Sequence, residues 1–158
     1  MTVTADSQQQ EFFPPTTLEK SARALGADTV RYRIDYLMLA MRDGIRLATV
    51  VIRPKAEGQR PTLMIRSPYA FTSFTHLSET YKPLFKNDYA IVLQNERGSE
   101  WSEGEFGYLT GTTNDALDTL DWIAAQDWSN GRVGAHGCSS TAENQLKLGA
   151  IGDRKSVV

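Results

Sequence analysis

The sequence predicts an α/β fold, a mainly parallel sheet with helices on both faces, and three observations predict it. From residue 32 onward, short β-branched or apolar runs alternate with helical patterns, the order that gives strands joined by crossover helices. One run, Tyr89-Ala90-Ile91-Val92-Leu93-Gln94, is apolar almost without a break, as in a strand buried on both faces. Near the end of the chain, Gly137-Cys138-Ser139-Ser140-Thr141-Ala142 stands between a strand-like and a helix-like run, the setting of a sharp strand-to-helix turn.

Residues 1–29 are polar, with Gln8-Gln9-Gln10 and Pro14-Pro15, and read as a flexible leader with one helical turn around Leu18 to Leu25. Tyr32 to Met38 alternates and predicts a strand. Arg42-Asp43-Gly44 is a turn signal, with Gly44 suited to φ > 0, and Ile45 to Ile52 is the returning strand of a hairpin. After a polar loop from Pro54 to Pro61, Thr62 to Arg66 is a third strand. Residues 73–87 predict a helix broken at Pro83, and residue 89 starts the buried strand. Residues 95–111, rich in Gly, Ser and Glu, read as an extended surface loop, with Glu100, Glu103 and Glu105 as a solvated face. From Asp115 to Gln126, Ala116, Leu117, Leu120, Ile123 and Ala124 recur at helical spacing. Ser129-Asn130-Gly131 predicts a turn into a last strand, Arg132 to His136, and Glu143 onward opens a helix.

The chain has 158 residues, a net charge of −2 and no basic run, which argues against nucleic-acid binding. One cysteine, Cys138, forbids an intrachain disulfide and a thiolate cage, and two histidines, His76 and His136, do not make a metal site. No cofactor is expected. The first residues lack the basic start and apolar stretch of a secretory signal, and no segment has the ~20 apolar residues of a membrane span. A cytoplasmic protein without membrane or nucleic-acid partners is the expectation; its oligomeric state stays open.

The chemistry is concentrated at the turn after the last strand. A serine there projects its hydroxyl beyond the carboxyl end of the sheet, and the amide of the next residue points into the same space. Ser139 is the candidate nucleophile and the Ser140 amide a candidate oxyanion donor; the alternative is that Ser139 is an ordinary helix N-cap. His136 lies three residues earlier, and strand alternation turns it away from the turn, so it reads as packing. Cys138 reads as a packing residue beside the serine. Arg97 is expected to pair with a buried carboxylate.

Several segments, in order, resemble the cocaine-esterase and Xaa-Pro dipeptidyl-peptidase group (CocE/NonD, S15-like) of α/β-hydrolases. They are Met41-Arg42-Asp43-Gly44-Ile45-Arg46-Leu47, Ile65-Arg66-Ser67-Pro68-Tyr69, Gln94-Asn95-Glu96-Arg97-Gly98 with Ser102-Glu103-Gly104-Glu105-Phe106, Asp118-Thr119-Leu120-Asp121-Trp122, and Trp128-Ser129-Asn130-Gly131 leading to the Ser139 turn. The resemblance covers roughly residues 32–150. It implies a serine hydrolase working through an acyl-enzyme on a small ester or amide, or a short Xaa-Pro peptide. It assigns Ser139 as nucleophile and gives Tyr69 the second oxyanion hydrogen bond, beside the Ser140 amide. The chain departs from the group's pattern at Ser140, usually tyrosine, and at Ala142, usually glycine. In this fold the acid and the histidine follow the serine on later strands. No histidine follows Ser139, and of the acids only Glu143 and Asp153 do. The expectation is therefore a partial domain over residues 30–152, truncated after the helix that follows the serine and inactive by itself. Residues 153–158 read as a non-native tail, similar to the translation of a sequencing adapter. A non-catalytic binding protein on a hydrolase-like scaffold is the alternative.

Overall fold

The computed structural model describes residues 26–70, 78–107 and 112–150, together with residues 20, 22–24, 156 and 157. In chain order these form β1 (Tyr32–Ala40), β2 (Arg46–Pro54), β3 (Arg60–Ser67), α1 (Ser78–Lys86), β4 (Ala90–Asn95), α2 (Thr112–Ala124), β5 (Ser129–Ala135), α3 (Ser140–Ala150) and β6 (Ser156–Val157). The strands make one sheet in the order β1-β2-β4-β3-β5-β6. β1 and β2 form the expected antiparallel hairpin, with Tyr32 opposite Pro54 and Ala40 opposite Arg46. β2 also runs antiparallel to β4, whereas β3 is parallel to β4 and β5, and β5 to β6. The hairpin turn closes through Met41 N–H to the Ile45 carbonyl at 2.8 Å and Gly44 N–H to the Met41 carbonyl at 2.9 Å, with Gly44 at φ +85°.

Period-2 alternation sends successive side chains to opposite faces, so neighbouring residues serve different cores. Val50, Ile52, Ile65, Ile91 and Leu93 face Tyr81 and Phe85 of α1. Val51, Met64 and Val92 face Ala116, Leu120 and Ile123 of α2 and Leu148 of α3. Each such side chain, wholly removed from water, contributes about 1.5–3 kcal/mol. β4 is buried along its whole length, as its unbroken apolar run predicts. The helices thus cover both faces of a sheet that is parallel beyond its hairpin.

Four local differences from expectation have physical causes. The helix does not break at Pro83 but continues through it to Lys86. Tyr81 and Phe85 flank the proline and are 1% and 2% exposed, so their burial outweighs a propensity cost of about 3 kcal/mol. Residues 73–77 of the predicted helix lie outside the described residues. The end of the supposed leader also joins the core, because Ala22 and Ala27 are buried against the α1 face. Ser129-Asn130-Gly131 belongs to β5 rather than to a preceding turn. Its turn chemistry persists inside the strand: Gly131 takes φ +76°, Gly131 N–H donates to Ser129 Oγ, and the register with β3 shifts between Arg60 and Thr62. Finally, Glu103 is no merely solvated residue. It accepts from the Arg46 amide and guanidinium, both at 3.0 Å, and ties the loop after β4 to the hairpin. Residues 108–111 of that loop lie outside the described residues. At the far edge of β5, Ser156–Val157 pairs with Val133 and Gly134.

Candidate active site

The turn between β5 and α3 is tight and strained at one residue. Ser139 has φ +55°, in the left-handed region where an L-residue with a side chain is strained by roughly 1–3 kcal/mol. An N-cap serine takes β-region angles instead. Ser139 is exposed, and its carbonyl accepts the first helical bonds, from Ala142 N–H at 2.9 Å and Glu143 N–H at 3.2 Å. The turn can be this tight because Gly137 lacks a side chain: a Cβ there would sit 2.5 Å from the Thr141 carbonyl carbon. Thr141 staples the bend, since its hydroxyl oxygen accepts from the Cys138 amide at 2.7 Å and its hydroxyl donates to the Cys138 carbonyl. Ser140 is the first residue of α3, so its N–H has no intrahelical partner.

Tyr69 meets this turn. β3 lies beside β5 and ends at Ser67, so the loop after it opens at the same sheet edge. The Ser140 hydroxyl donates to Tyr69 Oη at 3.1 Å, and the tyrosine is 48% exposed. Its backbone is held from two sides. Tyr69 N–H donates to Ser67 Oγ at 3.0 Å, and Asn95 Nδ2, at the end of β4, donates to the Tyr69 carbonyl at 2.9 Å. The three residues singled out from the sequence, Ser139, Ser140 and Tyr69, therefore occupy one neighbourhood. His136 does not join them; its ring packs edge-on against Tyr81, centroids 5.7 Å apart. Cys138 is exposed rather than packed, because the bend turns it out with the serine. His76 lies outside the described residues.

Beneath the site runs a buried polar network that sequence reasoning missed, apart from the expected pairing of Arg97. Arg66, 1% exposed, donates to Gln94 Oε1 at 2.8 Å; Gln94 Oε1 also accepts from Thr119, and Gln94 Nε2 donates to Thr49. Asp115, 1% exposed, lies 3.8 Å from Arg66 and receives both arms of the Arg97 fork, which also reaches Asp43 at 2.7 Å. Glu96 is buried and accepts from Asn144 of α3, which ties the helix after Ser139 to the end of β4. Burial lowers the Arg66 pKa against the pull of Asp115 and Glu96. Burial raises that of Glu96, opposed by Arg66 and by the Asn144 hydrogen bond. Hydrogen bonds that Arg97 donates to the Asp115 and Asp43 carboxylates hold it well above its ordinary value. Asn95, Glu96 and Asn144 carried one readable signal, a run of polar residues where an apolar strand and a helix should bury theirs.

Among the described residues, no group of three or more His, Cys, Asp or Glu side chains is placed to hold a metal ion, and no helix is long and apolar enough to cross a membrane. Chemically, the arrangement offers an exposed hydroxyl on a strained backbone, a helix-terminal amide without an intrahelical partner and a phenol.

Comparison with known proteins gives a consistent result. The model of the X-Pro dipeptidyl-peptidase (S15) family matches residues 43–156. A cocaine esterase from Rhodococcus sp. (strain MB1 Bresler) is 37% identical over 126 residues, 77% of this chain, and the chain spans 22% of the length of that relative. Among solved structures, an aminopeptidase from a marine sediment Thaumarchaeota archaeon superposes with a TM-score of 0.65 at 30% identity, over 73% of this chain and 23% of the other. A CocE/NonD family hydrolase from Staphylococcus aureus does so with a TM-score of 0.66 at 26% identity, over 76% and 25% of the two chains.

Proposed function

The chain belongs to the X-Pro dipeptidyl-peptidase (S15) family, a family of esterase- and peptidase-type hydrolases with the α/β-hydrolase fold, and we propose that it carries the nucleophile and the oxyanion hole of a serine hydrolase. Ser139 Oγ attacks the carbonyl carbon of an ester or amide, and its proton passes to a histidine supplied by the part of the protein outside these residues. The carbonyl oxygen becomes an oxyanion held by the Ser140 amide and the Tyr69 hydroxyl. Collapse expels an alcohol or amine, which takes the proton back, and water then releases the acyl group by the same steps reversed. The chemistry needs no metal or cofactor. The substrate is small: an ester, a side-chain amide or a short Xaa-Pro peptide.

The observation that best supports this reading is the backbone of Ser139. A φ of +55° on an exposed serine, one residue before a helix and two after a glycine pressed on that helix, costs stability and does nothing for packing. Strain of this kind is kept where a side chain must be held out toward a reactant. In the complete gene product, Ser139→Ala should remove labelling by a fluorophosphonate probe and lower kcat on a p-nitrophenyl ester by about 10³-fold or more. An unchanged rate would end the assignment. The 158-residue chain alone should show no turnover, because an unassisted serine hydroxyl is a weak nucleophile.

The alternative is a non-catalytic binding protein on this scaffold. Probe labelling of the complete gene product separates the two readings.

A further inference from the structure

Tyr69 enters the site as a half-exposed ring, and the hydrogen bonds that fix its backbone leave its tip unrestrained. An oxyanion donor is effective only if its hydrogen already points at the developing charge. The Tyr69 tip meets the hydroxyl of Ser140, 3.1 Å away. We propose that the Ser140 side chain is a positioning residue, which donates its hydroxyl hydrogen to Tyr69 Oη and thereby aims the phenolic hydrogen at the carbonyl oxygen undergoing attack. This inference rests on the oxyanion role given to Tyr69 above.

The donor direction follows from what each oxygen must do. A phenol can accept one hydrogen bond and donate one. With Ser140 as the donor, the Tyr69 oxygen is satisfied as an acceptor and its hydrogen stays free for substrate. Accepting a bond also makes the phenolic O–H a stronger donor, because chained hydrogen bonds polarise one another. The reverse arrangement would direct the phenolic hydrogen into Ser140 and away from the reaction. Ser140 then acts twice from the first turn of α3, directly through its amide and indirectly through its hydroxyl. A tyrosine at this position has no hydroxyl on its Cβ and could not make the same contact.

The test is a double-mutant cycle in the complete gene product, read as kcat and KM on a p-nitrophenyl ester. Tyr69→Phe should lower kcat by about 10²–10³-fold. Ser140→Ala should lower kcat about five- to tenfold with KM changed by less than about twofold, and Ser140→Thr should restore most of the loss. In the Tyr69→Phe background, Ser140→Ala should cost nothing more. An unchanged or raised kcat in Ser140→Ala, or an equal loss in both backgrounds, overturns the positioning role while leaving Tyr69 as oxyanion donor. If Tyr69→Phe keeps the parent kcat while Ser139→Ala is inactive, the oxyanion role itself fails and this inference with it. Unfolding midpoints of the variants separate a catalytic loss from a folding one.

Discussion

Along β4, Ala90 to Leu93 are no more than 2% exposed and wholly apolar, whereas Gln94, Asn95 and Glu96, which follow directly, are no more than 4% exposed and wholly polar. The two stretches are equally removed from water but serve different ends. The side chains of the first stretch are held by the hydrophobic effect, and only its backbone, paired with β2 and β3, is held directionally. The second is held by hydrogen bonds that run sideways: Gln94 to Arg66, Thr49 and Thr119, Asn95 to the loop carrying Tyr69, Glu96 to the helix that follows Ser139. The apolar stretch can fasten layers together, but only the polar one can fix where a loop and a turn sit relative to each other. A catalytic edge needs that fixing to within a fraction of an ångström.

The largest effects should come from cutting the polar network. Asp115 and Leu120 lie on α2, buried to the same degree. Leu120→Ala leaves a cavity and should cost about 2–5 kcal/mol. Asp115→Ala removes the carboxylate facing Arg66 and Arg97, takes away a charge that offsets the buried Arg66 guanidinium, and should cost about 3–5 kcal/mol. Urea unfolding of both variants measures the pair. A loss well under 1 kcal/mol for Asp115→Ala would mean that the buried guanidinium of Arg66 does not depend on this carboxylate.

A smaller effect sharpens the contrast through pH. Glu103 and Glu96 lie in one loop and shift in opposite directions. The Arg46 side-chain hydrogen bond, followed by the Arg46 amide, pulls Glu103 below 4.5. Its folded pKa is depressed, so its contribution is present above about pH 4.5 and lost as the pH falls through the folded value. Burial pushes Glu96 above 4.5, so its contribution is fully present below that pH and is lost as the pH rises through the folded value. Relative to the parent, Glu103→Gln should therefore be least stable near neutrality and converge with it in acid. Glu96→Gln should move the other way, improving relative to the parent as the pH rises from about 4.5. Melting midpoints at pH 3.5, 5 and 7 would expose parallel curves if both glutamates were equivalent surface groups.

The same contrast explains what could be read from the residues in advance. The apolar stretches announced themselves, since a two-residue period and an unbroken run at β4 suffice to place strands and faces. The Ser139 turn was also legible, because glycine and small residues between a strand pattern and a helix pattern leave few other geometries. The lateral network was not. Nothing in Asn95 or Asn144 taken singly says that it will be buried, or against what, because the partners are 26 and 48 residues away. Glu103 misled for the same reason: in a loop full of acids and glycines, its one specific partner sits 57 residues earlier on the hairpin. Pro83 misled through a local rule that burial of its neighbours overrides.

The smallest effect expected is also the one of opposite sign. If the left-handed backbone of Ser139 exists to present its hydroxyl, then the fold would be better off without that side chain. Ser139→Gly removes the Cβ that makes φ +55° costly, and returns part of the gain through the greater chain entropy of unfolded glycine. The net result should be a rise in stability of about 0.5–1 kcal/mol, with activity gone. Ser139→Ala keeps the Cβ and should lose the activity without the gain. Equal stability for the glycine and alanine variants would show that the turn is not strained at this residue. The carboxyl edge would then hold its serine by hydrogen bonding alone.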